Sequence, residues 1–373
     1  MSHDNWKTAG VFAYKDTGVP TSTTSEGKYS TLVMVHGLAS PAGVFSRLAQ
    51  KAGKLGARVV LINRRGYPLS KPFSDEERAL LVSSADDTLG GQSKVDDFVK
   101  GLARELYDFL LHLVSAGDIP PKSITLAGWS LGTLWMAAFL AHAPSFPATN
   151  VALHQYFLRV IAYDPVPQLL GYHPPERYNV PSDPSVAPGE HGKAFLTSVS
   201  GYFAHGDTPE TLTHEALSEP GPSIENMSPE DLPQNLYEEA VKPDSMDLLL
   251  TYSGIKQGTF DRLHDAALFP SHATASDREW GDIEFRIVWC DRTIGLIVWG
   301  AWAFMAEMAE SAKEGKDSVK KRMKKCSIVR MHGANHFAHW DEPERTLTVL
   351  LANEPDMNLV MPNRLMCTVQ HSE

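Results

Sequence analysis

The chain has 373 residues, a formal net charge of −11 and 43% hydrophobic residues, a globular composition with apolar surface enough for a large core. The acidic balance, without any Lys/Arg stripe, argues against nucleic acid or an anionic membrane as partner, and no run approaches ~18 consecutive apolar residues, so no membrane span is expected. Cys290, Cys326 and Cys367 are odd in number and far apart, which reads as reduced thiols rather than a disulfide framework or a metal site.

In chain order, residues 5–18 fit one or two antiparallel edge strands. "MSHDNWKTAG" at the start lacks the basic and apolar parts of a secretory signal, and "QHSE" at the end does not match the peroxisomal address, so a cytoplasmic protein is expected. "YSTLVMVHG" (29–37) reads as a buried strand ending in a glycine turn, residues 44–55 as a helix and "ARVVLINRRG" (57–66) as a second strand. Residues 92–114 carry apolar side chains near every third or fourth place, a long amphipathic helix. "SITLAG" (123–128) is a third strand, residues 131–143 an apolar helix and "FLRVIAYDP" (157–165) a fourth strand. From about 165 to 275 prolines and histidines are frequent and short helices replace strands, which marks an inserted helical lid. The alternation resumes with a strand at 283–290, a helix at 295–314, a last strand at 326–333 and a last helix at 342–354. The predicted organisation is a core in two parts, 1–164 and 279–373, interrupted by a lid at 165–278. Strands alternating with helices imply an α/β fold, a parallel sheet covered on both faces.

The chemistry centres on "SITLAGWSLGT" (123–133). A serine hydroxyl is a weak nucleophile that needs a base within reach and a way to protrude from the fold. A sharp strand-to-helix turn supplies the exposure. It is crowded, so small residues are required two before and two after the serine, the places of Gly128 and Gly132 around Ser130. With Gly and Ser each near ~7% of residues, these three positions match by chance in roughly one chain in ten of this length, so context must carry the assignment.

The context agrees. His36-Gly37-Leu38 ends an earlier strand, and a glycine there lets backbone approach a substrate. The N–H groups of Leu38 and Leu131 would then form a two-donor oxyanion hole, with His36 a residue that fixes the loop. His336 lies just past the last strand, where an imidazole can lean over the serine as general base. His332, His336 and His339 together suggest metal spacing but lack a companion carboxylate or cysteine framework, so neither metal nor cofactor is expected. Trp129 flanks the nucleophile and, with Gly37, is expected next to substrate, the alternative for its indole being to pack under the lid or fill space beneath the sheet edge. Arg64 and Arg65 near the mouth read as solvated, and the stripe with Trp299 and Trp302 as core.

The pieces "VMVHGL", "LINRRGYPLS", "GWSLG", "AYDP" and "GANHFAHWDEPE" resemble an α/β-hydrolase fold enzyme of the Abhydrolase type with a lid, similar to lidded hydrolases of fungal small-molecule metabolism. The resemblance covers about 28–165 and 280–355. It implies an eight-stranded, mostly parallel sheet and a triad in the order Ser, acid, His. In the family the acid usually follows the seventh strand, three places after a small residue. Here Cys290 takes the small position and Thr293 stands where the Asp would be, with Asp291 two residues early. The other place is after the sixth strand, where Asp164 stands. Asp164 is preferred and Asp291 stays open.

A serine in the elbow disfavours the carboxylate-nucleophile epoxide hydrolases and dehalogenases of this fold. The leading expectation is a hydrolase of a small-molecule ester, lactone or thioester with an apolar acyl part. The alternatives are a hydrolase-fold binding protein that has lost turnover, for which Thr293 speaks, and an acyltransferase or lyase using the same residues. The sequence does not give the oligomeric state.

Overall fold

Short strands of continuous apolar residues put hydrophobic side chains on both faces of a sheet, so both faces must be covered. The structure, a computed structural model, describes residues 6–21, 28–86, 90–147, 149–178, 186–187, 189–271, 274–313 and 322–353. Cys367 and the C-terminal "QHSE" lie outside them. Eight strands form one sheet: β1 (Lys7–Ala9), β2 (Phe12–Asp16), β3 (Ser30–Val35), β4 (Ala57–Asn63), β5 (Ile124–Trp129), β6 (Phe157–Tyr163), β7 (Glu284–Cys290) and β8 (Cys326–Met331). Their order is β1-β2-β4-β3-β5-β6-β7-β8. The first two strands pair antiparallel and the rest parallel, the mostly parallel sheet expected from the alternation.

Alternate residues of each strand feed two separate cores. Val33, Val35, Val60, Ile62, Leu126 and Val160 join one; Leu32, Met34, Val59, Leu61, Ala127 and Ile161 join the other. The longer helices are α1 (Asp75–Asp86), α2 (Gly91–Ser115), α3 (Thr133–His142), α4 (His191–Val199), α5 (Met246–Lys256), α6 (Thr259–Leu268), α7 (Ala275–Gly281), α8 (Gly295–Lys313) and α9 (Pro343–Leu351). On α2 the buried side chains include Val95, Val99, Leu102, Leu106 and Leu113, the three-to-four spacing that predicted this helix. None of the helices among the described residues is long and apolar enough to cross a membrane.

Two expectations change. Residues 44–55 form a short helix (Ser46–Ala49) between two 3-10 turns rather than one helix, and Gly56, at φ +60°, ends the run in the left-handed region. The second concerns the inserted segment. Helix α7 runs to Gly281, past the expected boundary at 278, and its Trp280 packs on Phe139 and Phe157 of the core. Leu250, Phe260, Leu263, Ala267 and Leu268 of the insertion share one hydrophobic cluster with the sheet and α3, and α6 lies against α3. His264 on α6 ties the segment to α8 through Glu307 Oε1 at 2.8 Å. Much of the insertion is therefore built into the core.

The parallel strands end together. Val35 pairs with Gly128, Trp129 with Tyr163, Tyr163 with Val288 and Cys290 with Met331. Their carboxyl ends deliver Gly37, Ser130, Asp164, Asp291 and His336 to one edge, where open α/β sheets bind ligands.

Candidate active site

Strand β5 runs without a loop into the turn Ser130–Gly132 and then α3. Ser130 takes φ +53°, a left-handed conformation that costs a non-glycine residue about 1–3 kcal/mol and persists only where the surroundings enforce it. The two flanking glycines are the enforcement. A Cβ on Gly128 would lie 2.3 Å from the Gly132 carbonyl oxygen, and one on Gly132 would lie 2.5 Å from that of Val35. The Thr133 hydroxyl donates to the Ser130 carbonyl at 2.7 Å, and Ser130 is 7% exposed.

Gly37 closes on the serine from β3. A Cβ there would stand 2.8 Å from Ser130 Cβ and 3.3 Å from Oγ, so only glycine permits this approach. His36 is fully buried; its Nδ1–H donates to the Gly37 carbonyl at 2.9 Å, and its Nε2 accepts the Arg64 N–H at 2.9 Å. Burial, and then the Arg64 charge, push its pKa well below the usual imidazole value, so it is a neutral loop-fixing group. Leu38 and Leu131, the expected oxyanion donors, follow Gly37 and Ser130 directly and so flank the same turn.

Asp164 follows β6 at φ +45° and is wholly buried. Its Oδ1 accepts the Cys290 N–H at 2.8 Å, and its Oδ2 accepts the Thr293 hydroxyl at 2.7 Å and His336 Nδ1–H at 2.6 Å. His336, 3% exposed, is left with Nε2 as its acceptor, a tautomer assigned from this network. Asp291 goes elsewhere: it accepts from Arg330 Nε at 3.0 Å, His332 Nδ1 at 2.6 Å and the Gly333 N–H at 2.6 Å. It fastens the turn leading to His336 and does not touch that ring. Burial, reinforced by Asp164 and Asp291, pushes the Cys290 thiol pKa well up, so it stays protonated.

Two readings change, for Trp129 and for the two arginines. Trp129 is a core residue rather than a pocket lining: it packs on Phe45, His336, Phe337 and His339, and its indole N–H donates to the His336 carbonyl at 3.0 Å. It thereby couples the residue before the serine to the histidine. Arg64 and Arg65 are buried and paired, Arg64 with Asp247 and Arg65 with Glu77 and Glu105; a guanidinium leaves water only with such partners. The three histidines do not converge. His332 is half-exposed on Asp291, His336 meets Asp164, and His339 is buried among Phe45, Trp129 and Phe337, where burial lowers its pKa well below the usual value. No group of His, Cys, Asp or Glu among the described residues has metal-holding geometry.

A cleft of about 330 Å³ lies between the loop after β4 and the insertion, lined by residues including Tyr67, Phe73, Arg78, Tyr237 and Asp247. Its volume suits a small ligand, yet neither Ser130 nor His336 lines it. Tyr67 and Asp247 belong both to its wall and to the hydrogen bonds on the Gly37 loop. Sequence reasoning missed Asp247, which has no local motif, and the donor role of Thr293, whose signal was its place three residues after Cys290.

A sequence model described as the alpha/beta hydrolase family matches residues 32–349. No curated protein matches the chain. Solved structures similar to it include a bromoperoxidase from Bacillus anthracis, 16% identical over 91% of this chain and 95% of that one with TM-score 0.39. A thermophilic esterase from Thermogutta terrifontis is 12% identical over 91% of each chain, TM-score 0.43. The epoxide hydrolase VrEH1 from Vigna radiata is 11% identical over 92% and 96%, TM-score 0.43. At these identities and scores no residue role passes from them to this chain.

Proposed function

The chain belongs to the alpha/beta hydrolase family, and on that premise we propose that it is a serine hydrolase cleaving a small-molecule carboxylic ester, lactone or thioester. The observation that carries the reading is the buried 2.6 Å hydrogen bond between Asp164 and His336, at the same sheet edge as a serine held at positive φ.

In this reading Asp164 holds the Nδ1–H tautomer, so His336 Nε2 takes the Ser130 proton as Oγ attacks the substrate carbonyl. The carbonyl π electrons move to oxygen, and the amides of Leu38 and Leu131 donate to that oxyanion. Collapse expels the leaving alkoxide or thiolate, which receives the proton from His336. Water, deprotonated by His336, then cleaves the acyl-enzyme and returns Ser130. The substrate side would be a small apolar acyl compound and the setting cytoplasmic, with the exposed part of the insertion serving as lid. Thr293, which spoke for a binding protein without turnover, hydrogen-bonds Asp164 and so fits a working acid at the other position.

The test is labelling with a fluorophosphonate alongside p-nitrophenyl ester turnover, for wild type and Ser130→Ala. Both activities should vanish in the variant. A folded wild type that neither labels nor turns over would overturn the reading in favour of a binding protein. A competing alcohol that captures most of the acyl group would instead identify an acyltransferase.

A further inference from the structure

We propose that Asp247, on helix α5 of the insertion, is a positioning residue for the oxyanion donor: through Arg64 and Tyr67 it fixes the Gly37–Leu38 peptide beside Ser130. The proposal rests on the serine-hydrolase reading and adds that the insertion helps assemble the site it covers.

The contacts run unbroken from α5 to the loop. Arg64, 1% exposed, meets Asp247 through two parallel bonds, Nη1 to Oδ1 and Nη2 to Oδ2, each 2.6 Å. Its guanidinium lies over the rings of Tyr67 and Trp135, 4.6 Å from each centroid. A bidentate, stacked guanidinium has essentially one placement. Two further bonds go to the loop, Nε to the His36 carbonyl at 3.0 Å and Nη2 to the Gly37 carbonyl at 2.9 Å, and Nη2 also meets the Tyr67 hydroxyl at 3.0 Å. The Gly37 carbonyl also receives His36 Nδ1–H. Because a trans peptide is planar, with C=O and N–H pointing opposite ways, holding that carbonyl toward Arg64 turns the Leu38 N–H away from it. Gly37 itself lies against Ser130. On the far side of Leu38 the Ala39 N–H donates to the Tyr67 hydroxyl at 3.0 Å, and that hydroxyl donates to Asp247 Oδ2 at 2.7 Å. The peptide is thus gripped before and after Leu38 by partners that converge on one carboxylate.

A buried ion pair is a poor source of net stability compared with an apolar replacement, so this placement points to orientation. Asp247→Asn keeps one acceptor but loses the charge and the matched pair of bonds. Displacing one oxyanion donor by a fraction of an ångström should lower kcat by ~10- to 100-fold while KM changes far less. The control is Glu307→Gln, which removes the charge from the His264 tie between insertion and α8 away from the loop.

The experiment measures kcat and KM on p-nitrophenyl esters, the fluorophosphonate inactivation rate, and amide hydrogen exchange of fragments spanning residues 36–40. For Asp247→Asn we expect kcat and inactivation rate to fall together and exchange at 36–40 to quicken, with Glu307→Gln near wild type in all three. A folded Asp247→Asn with wild-type kcat and wild-type exchange overturns the proposal, as does equal kcat loss in both variants. Should Asp247→Asn fail to fold, Tyr67→Phe, which removes only the hydroxyl link, decides by a smaller change of the same kind or by none. If wild type neither labels nor turns over, the hydrolase reading falls while the exchange measurement still judges the latch.

Discussion

Two Asp–His pairs stand side by side at the carboxyl edge of the sheet. Asp164, after β6, meets His336; Asp291, after β7, meets His332, four residues earlier; both bonds are 2.6 Å. Their surroundings differ. The first pair is buried, with side chains 0% and 3% exposed, while the His332 side chain is 47% exposed. Asp164, wholly buried, takes a backbone amide, a hydroxyl and an imidazole. Asp291 takes an arginine, a backbone amide and an imidazole that faces solvent. An Asp–His bond of given length can thus hold a tautomer in a dry site or pin a turn at a wet one. Burial and the third partner decide which.

The sharpest way to break the comparison is Asp164→Asn. By analogy with other triads it should lower kcat by ~10⁴-fold, because the amide no longer enforces the Nδ1–H tautomer. Asp291→Asn should leave kcat near the wild-type value and cost roughly 1–2 kcal/mol of stability, read by chemical denaturation. If the losses are reversed, Asp291 is the acid and the geometric assignment fails.

A rescue sharpens the contrast further. Thr293 stands where the family resemblance leads one to expect the acid, and its hydroxyl already reaches Asp164 Oδ2. Asp164→Asn combined with Thr293→Asp should therefore regain part of the lost kcat, while Thr293→Asp alone, placing two carboxylates together, should be impaired. Absence of any rescue would mean that the loop after β7 cannot present a carboxylate to His336.

The smallest expected effect concerns a third carboxylate–histidine pair, Glu307 with His264. Burial lowers the His264 pKa, but the Glu307 hydrogen bond and charge outweigh it and leave it raised above 6.5. Burial raises the Glu307 pKa, and His264 outweighs that, leaving it below 4.5. The His264 contribution is therefore complete below 6.5 and lost as pH rises through its folded value. The Glu307 contribution is complete above 4.5 and lost as pH falls through its folded value. The stability difference between wild type and Glu307→Gln should be largest between those limits and shrink at higher pH. A difference that keeps growing as pH rises above 6.5 would contradict the pairing.

Much of this was legible in the chain because it is local. Buried parallel strands need continuous apolar runs, and helices need three-to-four spacing. A serine at positive φ between strand and helix needs glycines on both sides, and backbone laid against that serine needs another at Gly37. Each is steric and acts within a few residues, so the sheet, the elbow and His336 could be read in order along the sequence.

What depended on distant segments was not legible. Asp164 and Asp291 have similar local settings, and only the register of β6, β7 and β8 decides that His336 reaches the first and His332 the second. Arg64 resembled a solvated arginine until α5 brought Asp247 within 2.6 Å, and Trp129 a pocket wall until the loop after β8 folded over it. A charge is buried or wet, and an indole is core or lining, according to what packs against it, and that is fixed by tertiary contact alone.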